Sequence, residues 1–201
     1  MTKINTSKSI QIEASKGKVM AALNNFNEWP VWSPWIVLEP STKLDIANDG
    51  KSYSWEGKRV GSGEMKVISE SDNSIEYDLI FLKPWKSKAK TSFDLVENNG
   101  STTVTWHMNS SLPFFMFFMK KKMEVFIGMD YERGLKMLKQ YVEQGKVDSK
   151  LDFLGAQDFE GTKYLGISRQ APYSKMNVVM EQDFGRLMGV AYEKGVMNGV
   201  F

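Results

Sequence analysis

Few side chains in this sequence are equipped for chemistry. His107 is the single histidine. It cannot build a metal site alone, and strand alternation sets it opposite Trp106, hence outward. No cysteine is present, which removes disulfides and thiolate chemistry and fits a reducing cytoplasm. Glu56 neighbours Trp55 and by the same alternation points away from it. Asp130 lies on an otherwise apolar helical stripe, where an unpaired charge would be costly, so it needs an arginine, a tyrosine or a backbone N–H as partner. A buried carboxyl of that kind, with a raised pKa, can act as a general acid or base. Asp130 and Tyr77 are therefore the two weak catalytic candidates. Gly61-Ser-Gly63 lacks the third glycine and the helix of a dinucleotide fingerprint and reads as a tight turn. No serine–histidine constellation can be read, and neither a cofactor nor a metal is expected.

These residues need a frame, and the frame centres on Phe114–Gln144. Proline precedes it at Pro113, Ser110 or Ser111 is placed to cap it, and Gly145 suits a left-handed stop. Phe115, Met119, Met123, Ile127, Asp130, Gly134, Leu138 and Tyr141 recur at helical spacing. Gly134 costs roughly 1 kcal/mol relative to alanine and implies a bend or a close backbone approach. Gly128 carries the same penalty with no compensation legible.

Before this helix the period is two. Ser9–Ala14 opens as a strand, and Ser15 is placed to cap a helix reaching about Asn25. Phe26–Trp35 holds three tryptophans and two prolines in ten residues and reads as a short helix and turn, either a packing plug or a ligand gate. Strands follow at Lys43–Ala47, Ser52–Lys58, Gly61–Glu70, Ser74–Leu82, Lys88–Glu97 and Thr102–Ser110, separated by Asn, Asp and Gly turns. This order describes an α+β helix-grip fold, a curved antiparallel sheet of about seven strands around a long C-terminal helix. The hollow left between a curved sheet and a straight rod should be lined by Trp55, Tyr77, Phe81, Phe93, Trp106, Met123 and Ile127, a lining suited to a hydrophobic small molecule.

Lys83, Lys86, Lys88 and Lys90 surround Pro84-Trp85, and Lys120–Lys122 add three cations. They are either a solvated, lysine-blunted edge or a contact for nucleic acid or anionic lipid. A formal charge of +2 gives no global field for nucleic acid, and none is expected as a partner. The longest apolar run, Leu112–Met119, is far short of the ~20 residues of a membrane helix, and the first residues lack the apolar core of a signal peptide. A soluble, cytoplasmic protein is the expectation.

Residues of about Ser9–Glu143 resemble the polyketide cyclase/dehydrase-like branch of the START-related (SRPBCC) superfamily. The resemblance rests on Trp29-Pro-Val-Trp-Ser-Pro-Trp35, Tyr53-Ser-Trp-Glu-Gly57, Gly61-Ser-Gly63, Phe81-Leu-Lys-Pro-Trp85, Thr102-Thr-Val-Thr-Trp106 and Tyr131-Glu-Arg-Gly-Leu135. It implies a cavity for a hydrophobic small molecule. The superfamily contains carriers, receptors, cyclases and co-chaperones, so the fold does not deliver a reaction. A non-catalytic binding or sensing role is the primary reading. The alternatives are a cyclase-, dehydratase- or hydrolase-type enzyme and a protein-interaction module. The expected organisation is a ligand-binding domain over 1–145, a linker over 146–158, and a strand–helix segment over 159–201. That segment resembles the opening of a gyrase-inhibitor-like effector-binding domain, with a strand over Phe159–Ser168 and a helix over Met176–Lys194. Its apolar helix face needs a partner, and a homodimer through 159–201 is one candidate.

Overall fold

The computed structural model describes residues 2–84, 86–112, 118–148, 158 and 166–195. The chain divides into two compact units, Met1–Asp152 and Phe153–Phe201.

In the first unit, seven strands form one antiparallel sheet: β1 (Thr2–Ile12), β2 (Lys43–Ile46), β3 (Ser52–Glu56), β4 (Ser62–Glu70), β5 (Ser74–Lys83), β6 (Ser87–Asn98) and β7 (Ser101–Leu112). Their order across the sheet is β1-β7-β6-β5-β4-β3-β2, a meander closed by the first strand returning beside the last. Three short helices precede β2: α1 (Lys16–Leu23), α2 (Trp29–Trp32) and α3 (Pro34–Leu38). The long helix α4 (Lys120–Gln144) follows β7 and lies along β1. This is the helix-grip architecture.

Alternation sets the concave face as expected. One cross-strand row runs Ile4–Ser110–Ala89–Leu79–Met65–Tyr53, the next Thr6–Met108–Thr91–Tyr77–Val67, and a third Lys8–Trp106–Phe93–Ile75. Burying these rows beneath the helices supplies most of the stabilisation, at about 25 cal/mol per Å² of apolar surface removed from water. His107 is on the convex face, its Nε2 lying 3.1 Å from Asp94 Oδ2.

Three boundaries differ from the sequence reading. β1 begins at Thr2 rather than Ser9, because it pairs with β7 in unbroken register from Thr2↔Leu112 to Ile12↔Thr102. Its early inward positions include Thr6 and Lys8, so no apolar alternation marks them. Ser110 and Ser111 lie inside β7 and do not cap the long helix, since their backbones belong to that same ladder. α4 itself starts at Lys120 after a 3₁₀ turn at Phe118–Met119, and the expected helical start over 113–117 lies outside the described residues, as does Trp85. Ser15 occupies the cap position of α1 without a side-chain cap bond. The stop at Gly145 is as expected: its φ is 75°, and its N–H donates to Tyr141 O at 2.7 Å.

Of the two glycines in α4, Gly134 has a clear physical reason. A Cβ on Gly134 would stand 2.7 Å from Trp106 Cζ3 and 3.1 Å from Pro34 Cγ. A Cβ on Gly128 would stand 3.3 Å from Lys8 Cε and 3.7 Å from Thr6 Cγ2. The helix therefore comes close to the Trp106 ring only because Gly134 carries no side chain, whereas at Gly128 a Cβ would displace the movable end of Lys8 by a few tenths of an ångström. Three bonds keep α4 aligned with β1: Lys8 Nζ to Glu132 Oε2 at 3.5 Å, Lys139 Nζ to Gln11 O at 2.7 Å, and Glu13 N–H to Glu143 Oε1 at 2.7 Å.

In the second unit, α5 (Met176–Glu193) follows a 3₁₀ turn at Tyr173–Lys175. Arg169 Nη1 pairs with Asp183 Oδ1 at 3.2 Å, holding the preceding segment against α5 over a cleft of about 470 Å³ that includes Ile167, Val179, Phe184 and Leu187. Of the expected strand over Phe159–Ser168, residues 159–165 lie outside the described residues, and 166–168 are in no strand.

Candidate ligand-binding site

The tryptophan-rich stretch fills one half of the grip. Pro30 and Pro34 each stand at the first or second position of a short helix, where a missing N–H is harmless, so the chain folds into two turns. These turns drive Trp29 and Trp32 into the core, at 1% and 0% exposure. Trp106 stacks on Tyr131 (centroids 4.0 Å apart, 15° between planes) and on Phe93 (4.6 Å, 28°), with Trp32 and Trp35 edge-on to it. Thr91 satisfies the polar tips of this stack. Its hydroxyl donates to His107 O at 2.8 Å and accepts from Trp106 Nε1–H at 2.7 Å and from the Tyr131 hydroxyl at 2.9 Å. Tyr77 O–H donates to Leu23 O at 2.9 Å, and the Trp29 indole donates to the same carbonyl at 3.0 Å. Burial pushes the phenols of Tyr77 and Tyr131 well above the ordinary tyrosine value.

The seven lining candidates thus fall into two groups. Tyr77, Phe93 and Trp106 are fully buried and form the packed floor. Trp55, Phe81, Met123 and Ile127 are only partly buried, and Trp55 meets Phe81 edge-on with centroids 6.0 Å apart. The division follows the helix. Its buried positions begin at Gly128 and continue through Tyr131, Gly134, Leu135, Leu138 and Val142, whereas Met123 and Ile127 on its first half keep solvent-accessible surface. Opposite that half stand the small side chains Ser110 and Ala89 in the row between Ile4 and Leu79.

Two buried hydroxyls, Thr6 Oγ1 and Ser33 Oγ, are unspent among the described residues, and Thr6 is the one beside Gly128 of α4. Thr6 Oγ1 is inaccessible to solvent and has no hydrogen-bond partner among the described residues. Thr6 belongs to the concave row of Met108 and sits beside Gly128 of α4. A buried hydroxyl without a partner carries its full desolvation cost, about 1–3 kcal/mol, until something bonds it. Asp130 stands at the edge of the same helix on an exposed residue, with its carboxyl against the Trp35 indole. Desolvation raises its pKa, opposed by the Trp35 N–H bond and by the Arg133 charge. The partner required by the sequence is thus mainly an indole.

At the rim, α3 is tied to the β3–β4 turn by Glu39, which is 7% exposed. Its Oε1 accepts the Lys58 N–H at 2.8 Å, and its Oε2 accepts those of Arg59 at 2.9 Å and Val60 at 3.1 Å. The Val60 and Arg59 bonds, chiefly, hold its pKa below the ordinary value against the opposing effect of desolvation. Neither Thr6 nor Glu39 was singled out by sequence reasoning. Thr6 is in phase with Ile10 and Ile12, so extending the alternation backward would have found it.

Among the described residues no group of three or more histidine, cysteine or acidic side chains is arranged to hold a metal, and no helix is long and apolar enough to cross a membrane.

A seven-stranded antiparallel sheet curled on the long helix α4, with two short helices plugging one end, defines the helix-grip fold. Residues 3–143 match the family described as polyketide cyclase / dehydrase and lipid transport, and the chain belongs to that family. Solved structures agree at the level of fold. A START superfamily protein from Mycobacterium smegmatis is similar with a TM-score of 0.50 at 21% identity, covering 71% of this chain and 99% of that one. The Aha1 dimer from Colwellia psychrerythraea gives 0.52 at 19% identity, with 71% and 98% covered. The di-domain ARO/CYC StfQ from the steffimycin biosynthetic pathway gives 0.57 at 9% identity, with 72% and 52% covered. A search of curated proteins finds no match.

Proposed function

We propose that the first unit binds a hydrophobic small molecule, a lipid or an aromatic, polyketide-like compound, between the first half of α4 and the concave sheet, in a binding or sensing role rather than a catalytic one. The observation that carries this reading is the buried, unpartnered Thr6 hydroxyl beside a helix half whose apolar side chains are only partly covered. Such a place offers apolar contact along Met123 and Ile127 and one polar handle, the usual make-up of a small-molecule site. The family description, which includes lipid transport, supports the ligand class. The second unit, with its apolar α5 cleft, would couple occupancy to a partner or to a second copy of the chain.

A cyclase- or dehydratase-type reaction is the second reading. It is favoured by Asp130, whose pKa is raised by desolvation at the helix edge, and by the ARO/CYC relative from a biosynthetic pathway.

The binding reading is tested by fluorescence titration with cis-parinaric acid. Ile127→Trp should weaken binding by about tenfold or more by filling the space. Thr6→Val should weaken it about three- to tenfold, the worth of one hydrogen bond, while leaving the fold as stable as before or more so. A Thr6→Val protein that is stabilised and binds the probe unchanged would confine Thr6 to packing and remove the proposed site.

A further inference from the structure

The end of the grip beside the proposed site carries cations that the fold does not use. The register fixes which segments meet there. Lys83 at the end of β5 pairs with Ser62 at the start of β4, Ser87 at the start of β6 pairs with Phe81, and Leu112 at the end of β7 pairs with Thr2. α4 runs along β1 with Gly128 near Thr6, Glu132 near Lys8 and Glu143 near Glu13, so residues before Gly128 extend toward this same end. The β5–β6 hairpin with Lys83, Lys86 and Lys88 and the helix start with Lys120, Lys121 and Lys122 are therefore at one end of the first unit.

Two of these six lysines are matched, Lys83 by Glu56 at 3.2 Å and Lys120 by Glu124 at 3.6 Å. Among the described residues, Lys86, Lys88, Lys121 and Lys122 have no ion pair and are exposed. Glu39, the buried acid nearest the rim, is committed to three backbone N–H groups.

The helix-start lysines also run against local physics. The N-terminus of an α-helix is its positive end and favours acidic residues. The first turn of α4 has none and carries three lysines instead. A choice that lowers helix stability without a structural return points to a use outside the fold.

Apolar side chains are exposed next to these cations. Phe118, immediately before α4, is 70% exposed, Phe126 one helical face along is 50% exposed, and Leu82 beside Lys83 is 38% exposed. Cations interleaved with exposed apolar side chains match an anionic bilayer surface, where lysines meet headgroups and apolar groups enter the interface. The formal charge of the whole chain is only +2, so the positive field is local to this end, which suits a surface contact better than a nucleic-acid track.

We infer that this end is a docking surface for anionic membrane, with Lys86, Lys88, Lys121 and Lys122 facing the headgroups and Leu82, Phe118 and Phe126 reaching into the interface. The surface lies outside the proposed cavity and does not require it to be occupied.

Vesicle flotation of the full chain tests this with two compositions, phosphatidylcholine alone and phosphatidylcholine with phosphatidylserine at roughly three to one. Binding should require phosphatidylserine and fade as salt is raised. Lys121→Gln/Lys122→Gln should weaken it at least tenfold, because each lysine near an anionic surface contributes about fivefold. Lys86→Gln/Lys88→Gln should do the same, and Phe118→Ser should weaken it further at fixed charge. The two lysine variants are on the surface and should melt as the parent does and bind cis-parinaric acid unchanged, which separates this surface from the cavity. Equal binding to both vesicle types, no binding to either, or indifference to the lysine variants would overturn the inference. So would capture of single-stranded nucleic acid by the same lysines with no vesicle binding.

Discussion

Trp106→Ala is expected to destabilise the protein by about 3–5 kcal/mol, the range for truncating a large buried aromatic. The ring is 1% exposed, is sandwiched between Tyr131 and Phe93, and has Trp32 and Trp35 against its edges. It also fills the space that Gly134 leaves open. Its removal therefore opens a cavity against both the helix and the sheet, and neither can collapse into it without breaking β-ladder or helix bonds. The indole bond to Thr91 is lost as well, although Thr91 still donates to His107 O and accepts from Tyr131. Trp106→Phe keeps the stacking and gives up mainly that bond and some volume, so it should fall well short of the alanine cost. Equilibrium urea unfolding reads both. An alanine variant within 1 kcal/mol of the parent would mean that the aromatic floor is not the stabilising core described above.

Glu39→Gln should produce the second large effect, and its signature is in pH. The carboxylate accepts from three consecutive backbone N–H groups, presenting one oxygen to Lys58 and the other to Arg59 and Val60. An amide replaces one of those oxygens with an NH₂ facing an N–H, donor against donor, in either rotamer. The folded-state pKa of Glu39 is below the ordinary value of 4.5, so the folded state holds the proton less tightly than the unfolded chain does. The stabilisation is thus fully present above about pH 4.5 and is lost as pH falls through the lower folded value. Melting temperatures from pH 7 down to 3 should show a large gap between parent and Glu39→Gln at neutral pH that narrows in acid. A gap that is constant with pH would show that the carboxylate charge is not what ties α3 to the β3–β4 turn. Glu70, Glu132 and Glu143 are also held below their ordinary values and lower the parent's stability in acid, so only the difference between the two proteins is diagnostic.

Much of this architecture was legible because strand alternation holds over most of the sheet, interrupted by register shifts in β4 at Ser62/Gly63 and Val67/Ser69. The inward positions from Tyr53 to Met108 follow from period two alone, and the αL stop at Gly145 follows from glycine's freedom at positive φ. What escaped the sequence has local causes. β1 carries threonine and lysine on its inward face because α4 approaches there at Gly128 and takes Lys8 as a partner for Glu132, so the hydrophobic signal fails at Thr6 and Lys8. Ser110 and Ser111 look like caps but are claimed by pairing with β1, a non-local bond that no window of sequence contains. The seven proposed lining residues share one face of the sheet and helix. Periodicity could not divide them into a packed floor and an open half, since that division depends on where Trp29, Trp32 and Trp35 land. Glu39 was passed over because a buried acid is identified by the backbone it meets, and the β3–β4 turn lies about 20 residues away in sequence.

The most direct test of ligand binding is native mass spectrometry of the full chain as purified, followed by denaturing extraction of whatever it holds. A stoichiometric lipid or aromatic compound, reduced or lost in Ile127→Trp, is the expected result and would name the ligand class. A protein that flies without adduct from cell extract, and stays so after incubation with fatty acids and polycyclic aromatics, would contradict it. Met123, Ile127, Trp55 and Phe81 would then be the margin of a solid core.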